Sequence, residues 1–174
     1  VVIETINQKL LKKINQVGSK EEIRRIIEEA KQIGFDNINV DMIYGIPNET
    51  IKDIENDLNF ILSLDPTHIS AYSLIFEKQT ILTINHEKPI SEELEIEMIN
   101  KINQILKENH YEHYEISNYA KENYQSKHNK TYWQNEEYYA YGLGASSYQN
   151  DKRERTTRSI TKYLKGIITK ETEV

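Results

Sequence analysis

Asp41 lies in the run Ile38-Asn39-Val40-Asp41-Met42, where apolar and polar residues alternate, and Tyr44-Gly45-Ile46-Pro47 follows directly. Alternation predicts a strand and Gly-Ile-Pro breaks regular pairing, so the stretch reads as a strand that carries a carboxylate into a loop. Such a group either meets a ligand where strands give way to loops or makes local hydrogen bonds to the Tyr44–Pro47 turn, and spacing alone leaves both open. Further along, His128-Asn129-Lys130-Thr131-Tyr132-Trp133 gathers an imidazole, an amide and two large aromatics. The set suits a flat aromatic ligand or a haem iron, and equally a small satellite core around a hydrogen-bonded histidine.

Two other groupings are less specific. His110 and His113 stand three apart, a metal-binding spacing on a helix, but Asn109 is placed to end the helix before them, which favours solvated or hydrogen-bonded histidines. Gly142 and Gly144 could bring backbone amides to an anion, yet the third glycine of a dinucleotide loop is missing, so close backbone packing is the expected role.

The elements that must hold these groups follow from periodicity. Val1–Ile6 reads as a strand end feeding a short helix that carries Leu10, Leu11 and Ile14. Ser19 with Glu22 has the form of a helix cap, and Ile23, Ile26, Ile27, Ala30 and Ile33 make an apolar face that Gly34 ends. Thr50 with Asp53 repeats the cap, and Ile51, Ile54, Leu58, Ile61 and Leu62 form a second stripe up to Asp65-Pro66. His68–Phe76 reads as a buried strand, apolar on both faces apart from Ser70 and Ser73. Two strand–helix units in succession predict an α/β protein with a parallel sheet or barrel. After a polar, irregular segment from Glu77 to Pro89, a long helix is predicted from Ser91 to Lys107, and a further strand from His113 to Ser117.

Composition narrows the class of function. A net charge of −6 over 174 residues argues against nucleic acid or an anionic membrane as principal partner. No apolar run approaches the ~20 residues of a membrane span, and a cytoplasmic protein is expected. Cysteine is absent, which excludes disulfides, thiolate nucleophiles and cysteine-ligated clusters within this chain. Because the sequence opens on Val1, inside a strand-like run, a fragment of a longer protein is expected.

Five strings occur together and in order: Val-Asp-Met-Ile-Tyr-Gly-Ile-Pro from Val40, His-Ile-Ser-Ala-Tyr-Ser-Leu from His68, Tyr-Glu-Ile-Ser-Asn-Tyr-Ala from Tyr114, His-Asn-Lys-Thr-Tyr-Trp from His128 and Gly-Leu-Gly-Ala from Gly142. The chain thereby resembles the radical SAM family of oxygen-independent coproporphyrinogen III oxidase-like proteins. The His-Asn-x-x-Tyr-Trp string resembles the haem-chaperone branch rather than the true oxidase.

The resemblance implies the C-terminal part of a partial (β/α)6 barrel over residues 1–87, followed over 88–174 by an incomplete, smaller α+β accessory lobe. It implies S-adenosylmethionine and a [4Fe–4S] cluster in the full-length protein, with the cluster's Cys-x-x-x-Cys-x-x-Cys motif upstream of Val1. Asp41 matches the family's aspartate that contacts S-adenosylmethionine. Glu4 stands where the family usually has Gln, Gln16 where it usually has Arg, and Ser146 where many relatives have His. A neutral Gln16 cannot replace a cationic guanidinium fork, and Glu4 adds a negative charge. His128, Asn129, Tyr132 and Trp133 become candidates for haem, with porphyrin or haem and a haem-receiving protein as partners. The expected function is a fragment acting in porphyrin or haem metabolism, as a haem chaperone rather than a decarboxylating oxidase. The alternatives are a degenerate, non-catalytic α/β interaction module and a fragment of a genuine coproporphyrinogen III dehydrogenase (decarboxylating).

Overall fold

The computed structural model describes residues 1–78, 80–167 and 171–173. The chain divides into two compact units, Val1–Gln125 and Ser126–Val174.

In the first unit, β1 (Val2–Glu4), β2 (Asn39–Tyr44) and β3 (His68–Ser73) lie parallel, and β5 (Asn118–Ala120) and β4 (Glu112–His113) extend the sheet in the order β1-β2-β3-β5-β4. β5 runs antiparallel to both β3 and β4. Between the parallel strands come α1 (Gln8–Lys13), α2 (Lys20–Ile33) and α3 (Ile51–Ser63), as crossover geometry requires. The short α4 (Ile81–Ile84) occupies part of the segment expected to be irregular, and α5 (Glu92–Glu108) follows. The expected strand at His113–Ser117 is instead split: residues 114–117 turn the chain between β4 and β5.

The core forms where the helical stripes meet one face of the sheet. Val40, Met42 and Tyr44 of β2 point the same way and join Ile54, Leu58 and Ile61 of α3 and Met98, Ile102 and Leu106 of α5. Each such side chain contributes about 1.5–3 kcal/mol on burial. α3 starts where expected, with a complete reciprocal cap between Thr50 and Asp53. α2 begins at Ser19, whose hydroxyl accepts from Glu22 N, and ends at Gly34 in the left-handed conformation, φ 107°. Its apolar stripe is narrower than the sequence suggests, because only Ile27 is buried while Ile26 and Ile33 face solvent. Because α5 packs on α3 and β5 pairs with β3, compactness carries past the boundary at 87/88 to Gln125.

In the second unit, α6 (Lys127–Trp133) precedes an antiparallel sheet of β6 (Ser146–Gln149), β7 (Lys152–Arg155) and β8 (Glu171–Glu173), with α7 (Ile160–Leu164) between the last two strands. Gly142 has φ 109° and open space where a Cβ would stand, so backbone conformation rather than close packing calls for glycine there.

Candidate functional site

Strand alternation sends Asn39, Asp41 and Ile43 to the face of β2 opposite the helices, where they are half-buried. Parallel register sets Asn39 beside His68 and Asp41 beside Ser70, and antiparallel register sets Asn118 across from Ser70. The result is a polar cluster on the face of the sheet opposite α3 and α5, with His68, Ser70 and Asn118 buried and Asn39 and Asp41 half-buried. Asp41 is the third of six residues in its strand, not the last, and Ser73 lies on the opposite, helix-covered face, where its hydroxyl donates to Glu95 Oε1. Of the two serines in this strand, Ser70 therefore shares the face of Asp41 and Ser73 does not, since Ser73 has the parity of Ile69 and Ala71.

Hydrogen bonds tie this cluster together. Asn39 Nδ2 donates to Asp41 Oδ1 at 2.7 Å, while Asn39 Oδ1 lies 2.6 Å from His68 Nδ1 and accepts from Ser70 Oγ at 3.2 Å. His68 Nε2 meets the Tyr114 hydroxyl at 2.7 Å, with the rings edge to face. Burial holds the His68 pKa below the usual histidine value, against the opposing pull of the Asp41 and Glu115 charges. Asn118 donates through Nδ2 to Glu115 Oε1, leaving its buried Oδ1 without a partner. A buried amide oxygen in that state is a spare acceptor. The Asp41 carboxylate, half-buried, is an acceptor for a ligand that offers N–H or O–H donors.

The neighbouring candidates lie differently. Glu4 ends β1 at a register shift beside Met42, with φ 58°, an uncommon conformation for a residue with a side chain, and burial raises its pKa. Gln16 is exposed after α1, its backbone N–H donating to Leu11 O at 2.8 Å, outside the hydrogen-bonded cluster around Asp41.

Two further carboxylates escape a reading of motifs. Glu49 is 2% exposed, and its Oε2 accepts from the amides of Gly45 at 2.7 Å and Ile46 at 3.0 Å. Burial pushes its pKa up to about 8, partly offset by those amides. Asp57 on α3 is fully buried, accepts from Ile6 N at 2.9 Å and is pushed up to about 6, again chiefly by burial. The signal for Glu49 was an acidic residue two positions after a Gly-Ile-Pro turn with amides to satisfy.

In the second unit, Ser126 caps α6 by accepting from Asn129 N at 3.2 Å. His128 and Tyr132, four apart and hence on one helix face, meet edge to face with ring centroids 4.9 Å apart. Tyr132 meets Tyr138 at 4.6 Å, and Tyr138 lies 6.3 Å from Tyr148. No residue of α6 is buried: His128 is exposed, Asn129 half-buried, and Tyr132 and Trp133 are 44% and 57% exposed. The string is not a satellite core, then, but a short helix that displays an imidazole and two aromatic surfaces. His113 instead stacks on Tyr119 at 4.4 Å, with Nε2 3.1 Å from Ile116 O. Among the described residues, no group of three or more His, Cys, Asp or Glu is arranged to hold a metal, and no helix is long and apolar enough to cross a membrane.

Residues 1–61 match the radical SAM superfamily. The fold aligns with coproporphyrinogen III oxidase (HemN) from Escherichia coli, a radical SAM enzyme, with a TM-score of 0.83 over 99% of this chain and 44% of that one; at 14% identity the likeness is one of fold. The family match thus covers the first third of the chain, and the likeness of fold extends over nearly all of it. In sequence it is similar to the heme chaperone HemW of Lactococcus lactis, 37% identical over 171 residues, and to that of Bacillus subtilis, 36% identical over 172. The Escherichia coli heme chaperone HemW is 26% identical over 169 residues. These alignments take in 96%, 97% and 95% of this chain but 45%, 45% and 44% of the relatives. The chain thus spans a little under half the length of the curated relatives it matches.

Proposed function

We propose that this chain is the part of a haem-chaperone-like radical SAM protein that carries the end of the barrel, over residues 1–87, and part of the accessory lobe, over 88–174. The full-length protein would hold haem in the cytoplasm and pass it to a receiving protein. The observation that carries this reading is α6, where His128, Tyr132 and Trp133 stand unburied on a capped helix. With cysteine absent, imidazole is the side chain here best suited to haem iron, and the aromatic rings cover apolar porphyrin surface.

Asp41, half-buried on this face of the sheet, fits S-adenosylmethionine as an acceptor for its amino or hydroxyl donors, while the orphaned Asn118 Oδ1 is buried. Glu4 and Gln16 depart from the family at two further positions, and Gln16 lies apart from Asp41's cluster. S-adenosylmethionine supplies radical chemistry only with a reduced [4Fe–4S] cluster, and a chain without cysteine does not fit that cluster. What this chain contributes is binding and orientation.

The test is a haem titration of the 174-residue chain followed in the Soret band. Binding is expected, lost in His128→Ala and unchanged in His110→Ala. Unchanged binding in His128→Ala overturns the reading.

A further inference from the structure

The polarity of the hydrogen bonds around Asp41 is determined from one end. An ionised carboxylate only accepts, so the 2.7 Å contact to Asp41 Oδ1 requires the Nδ2 side of the Asn39 amide. That choice turns Asn39 Oδ1 towards His68 and Ser70, and a carbonyl oxygen also only accepts. The 2.6 Å contact to His68 Nδ1 therefore needs a proton on that nitrogen. In the neutral ring Nε2 then carries a lone pair, and the Tyr114 hydroxyl at 2.7 Å supplies the proton. Every bond points the same way, from Tyr114 through His68 and Asn39 to Asp41.

We propose that Tyr114, His68 and Asn39 are positioning residues that fix the Asp41 carboxylate through a one-directional hydrogen-bond chain, with His68 held as the Nδ1–H tautomer. The assignment of a ligand to Asp41 rests on the reading above; the chain itself rests on geometry alone. Its members come from three places, β2, β3 and the β4–β5 turn, so they tie the carboxylate to both neighbours of β3. Ser70 gives Asn39 Oδ1 a second donor, so the amide is held on both of its ends. The charged groups around the imidazole are Asp41 and Glu115, both acidic, and the hydroxyl of Tyr114 faces its outer nitrogen. Neutral His68 keeps the chain polarised towards Asp41; an imidazolium would make Nε2 a donor and reverse the link to Tyr114. One oxygen of Asp41 is thereby committed to Asn39, leaving Oδ2 for a ligand.

The experiment is nitrogen-15 NMR of the histidine rings in the full 174-residue chain at neutral pH, with carbon-13 observation of the Asp41 carboxyl. The expected result is a protonated Nδ1 and a lone-pair Nε2 on His68, against the Nε2–H form that free histidine favours. Tyr114→Phe, which removes one oxygen and keeps the ring, should shift the Nε2 resonance towards that of an unbonded imine nitrogen. His68→Leu should move the Asp41 carboxyl resonance, and His68→Asn, whose amide nitrogen stands where Nδ1 does and can donate to Asn39 Oδ1, should restore it. An Nε2–H tautomer, an imidazolium at neutral pH, or an Asp41 resonance indifferent to His68→Leu in a folded chain overturns the proposal. None of these readouts involves a ligand. Failure of S-adenosylmethionine to bind, with the tautomer and shifts as expected, therefore counts against the role given to Asp41 and not against the chain.

Discussion

The carboxylate of Glu49 reaches back four residues to the amide of Gly45, at 2.7 Å, and closes the loop that leaves β2. Gly45 has φ 85° there, and the same Glu49 oxygen takes the amide of Ile46. The loop is thus shaped by a buried side chain rather than by strand pairing. Since Glu49 is pushed up from 4.5 to about 8, its folded-state pKa exceeds the unfolded one. The folded state binds the extra proton, so stability is greatest below about pH 4.5 and falls as pH rises through 8. The contribution is on the order of a few kcal/mol, because each pKa unit is worth about 1.4 kcal/mol. In Glu49→Gln, the difference in urea-unfolding free energy from the parent should therefore change with pH between about 4.5 and 8. A difference constant across that range would show that Glu49 titrates normally.

Asp57 is the second buried acid and gives a separable result. Its pKa is pushed from 3.8 to about 6, so its share of stability is lost at lower pH, between about 4 and 6, by the same sign argument. Asp57→Asn keeps an acceptor for Ile6 N and removes the charge. It should reduce the pH dependence between about 4 and 6, where Glu49 also contributes, and leave unchanged the part between 6 and 8, which belongs to Glu49, as read from unfolding midpoints across the two ranges.

The core formed by α3 and α5 against β2 makes a stability prediction of ordinary size. Leu58 is fully buried in the cluster with Met42 and Ile102. Leu58→Ala should cost about 2–5 kcal/mol, measured by chemical denaturation. Ile33→Ala, at a position 77% exposed on α2, should stay within about 0.5 kcal/mol.

These two isoleucine and leucine positions also show what could be read from sequence. The periods of α3 and α5, their caps at Thr50 and Ser91, and the parallel order of the first three strands followed from spacing, because a buried stripe must repeat at the helical period. Ile26 and Ile33 share that period yet stay exposed, since periodicity marks a face without saying how much of it is covered. The turn at 114–117 was invisible for a related reason: Tyr-Glu-Ile-Ser has strand composition, and only the return of β5 along β3 makes it a turn. At the site, Asp41 was legible because a carboxylate in an apolar strand is unusual. His68 and Asn118 were not, since their roles exist only once register brings them beside Asn39 and Ser70.

Anaerobic reconstitution of the chain with iron and sulfide should yield no [4Fe–4S] cluster. Such a cluster is held by cysteine thiolates and the sequence has none. Iron and sulfide analysis together with the visible absorbance checks this, and stoichiometric cluster would contradict it.

The haem reading separates ligation from coverage at α6. His128 and Tyr132 are packed edge to face, and Tyr132 leans in turn on Tyr138, so Tyr132 serves the unit's own aromatic contacts as well as any ligand. Trp133 is 57% exposed, and its loss should barely alter the fold, within about 0.5 kcal/mol. If its ring covers porphyrin, burying it on binding is worth about 1.5–3 kcal/mol, or roughly a 10- to 150-fold change in Kd. Trp133→Ala should therefore weaken haem binding by at least about 10-fold at an unchanged thermal midpoint, whereas Tyr132→Ala should lower both affinity and midpoint. Lys127 and Lys130, available to meet the propionates, should each change affinity by only about 0–1 kcal/mol on replacement by Ala. The measurement is a Soret titration paired with a thermal melt for each variant. Equal haem affinity in the parent chain and Trp133→Ala would show that the porphyrin does not rest on this helix.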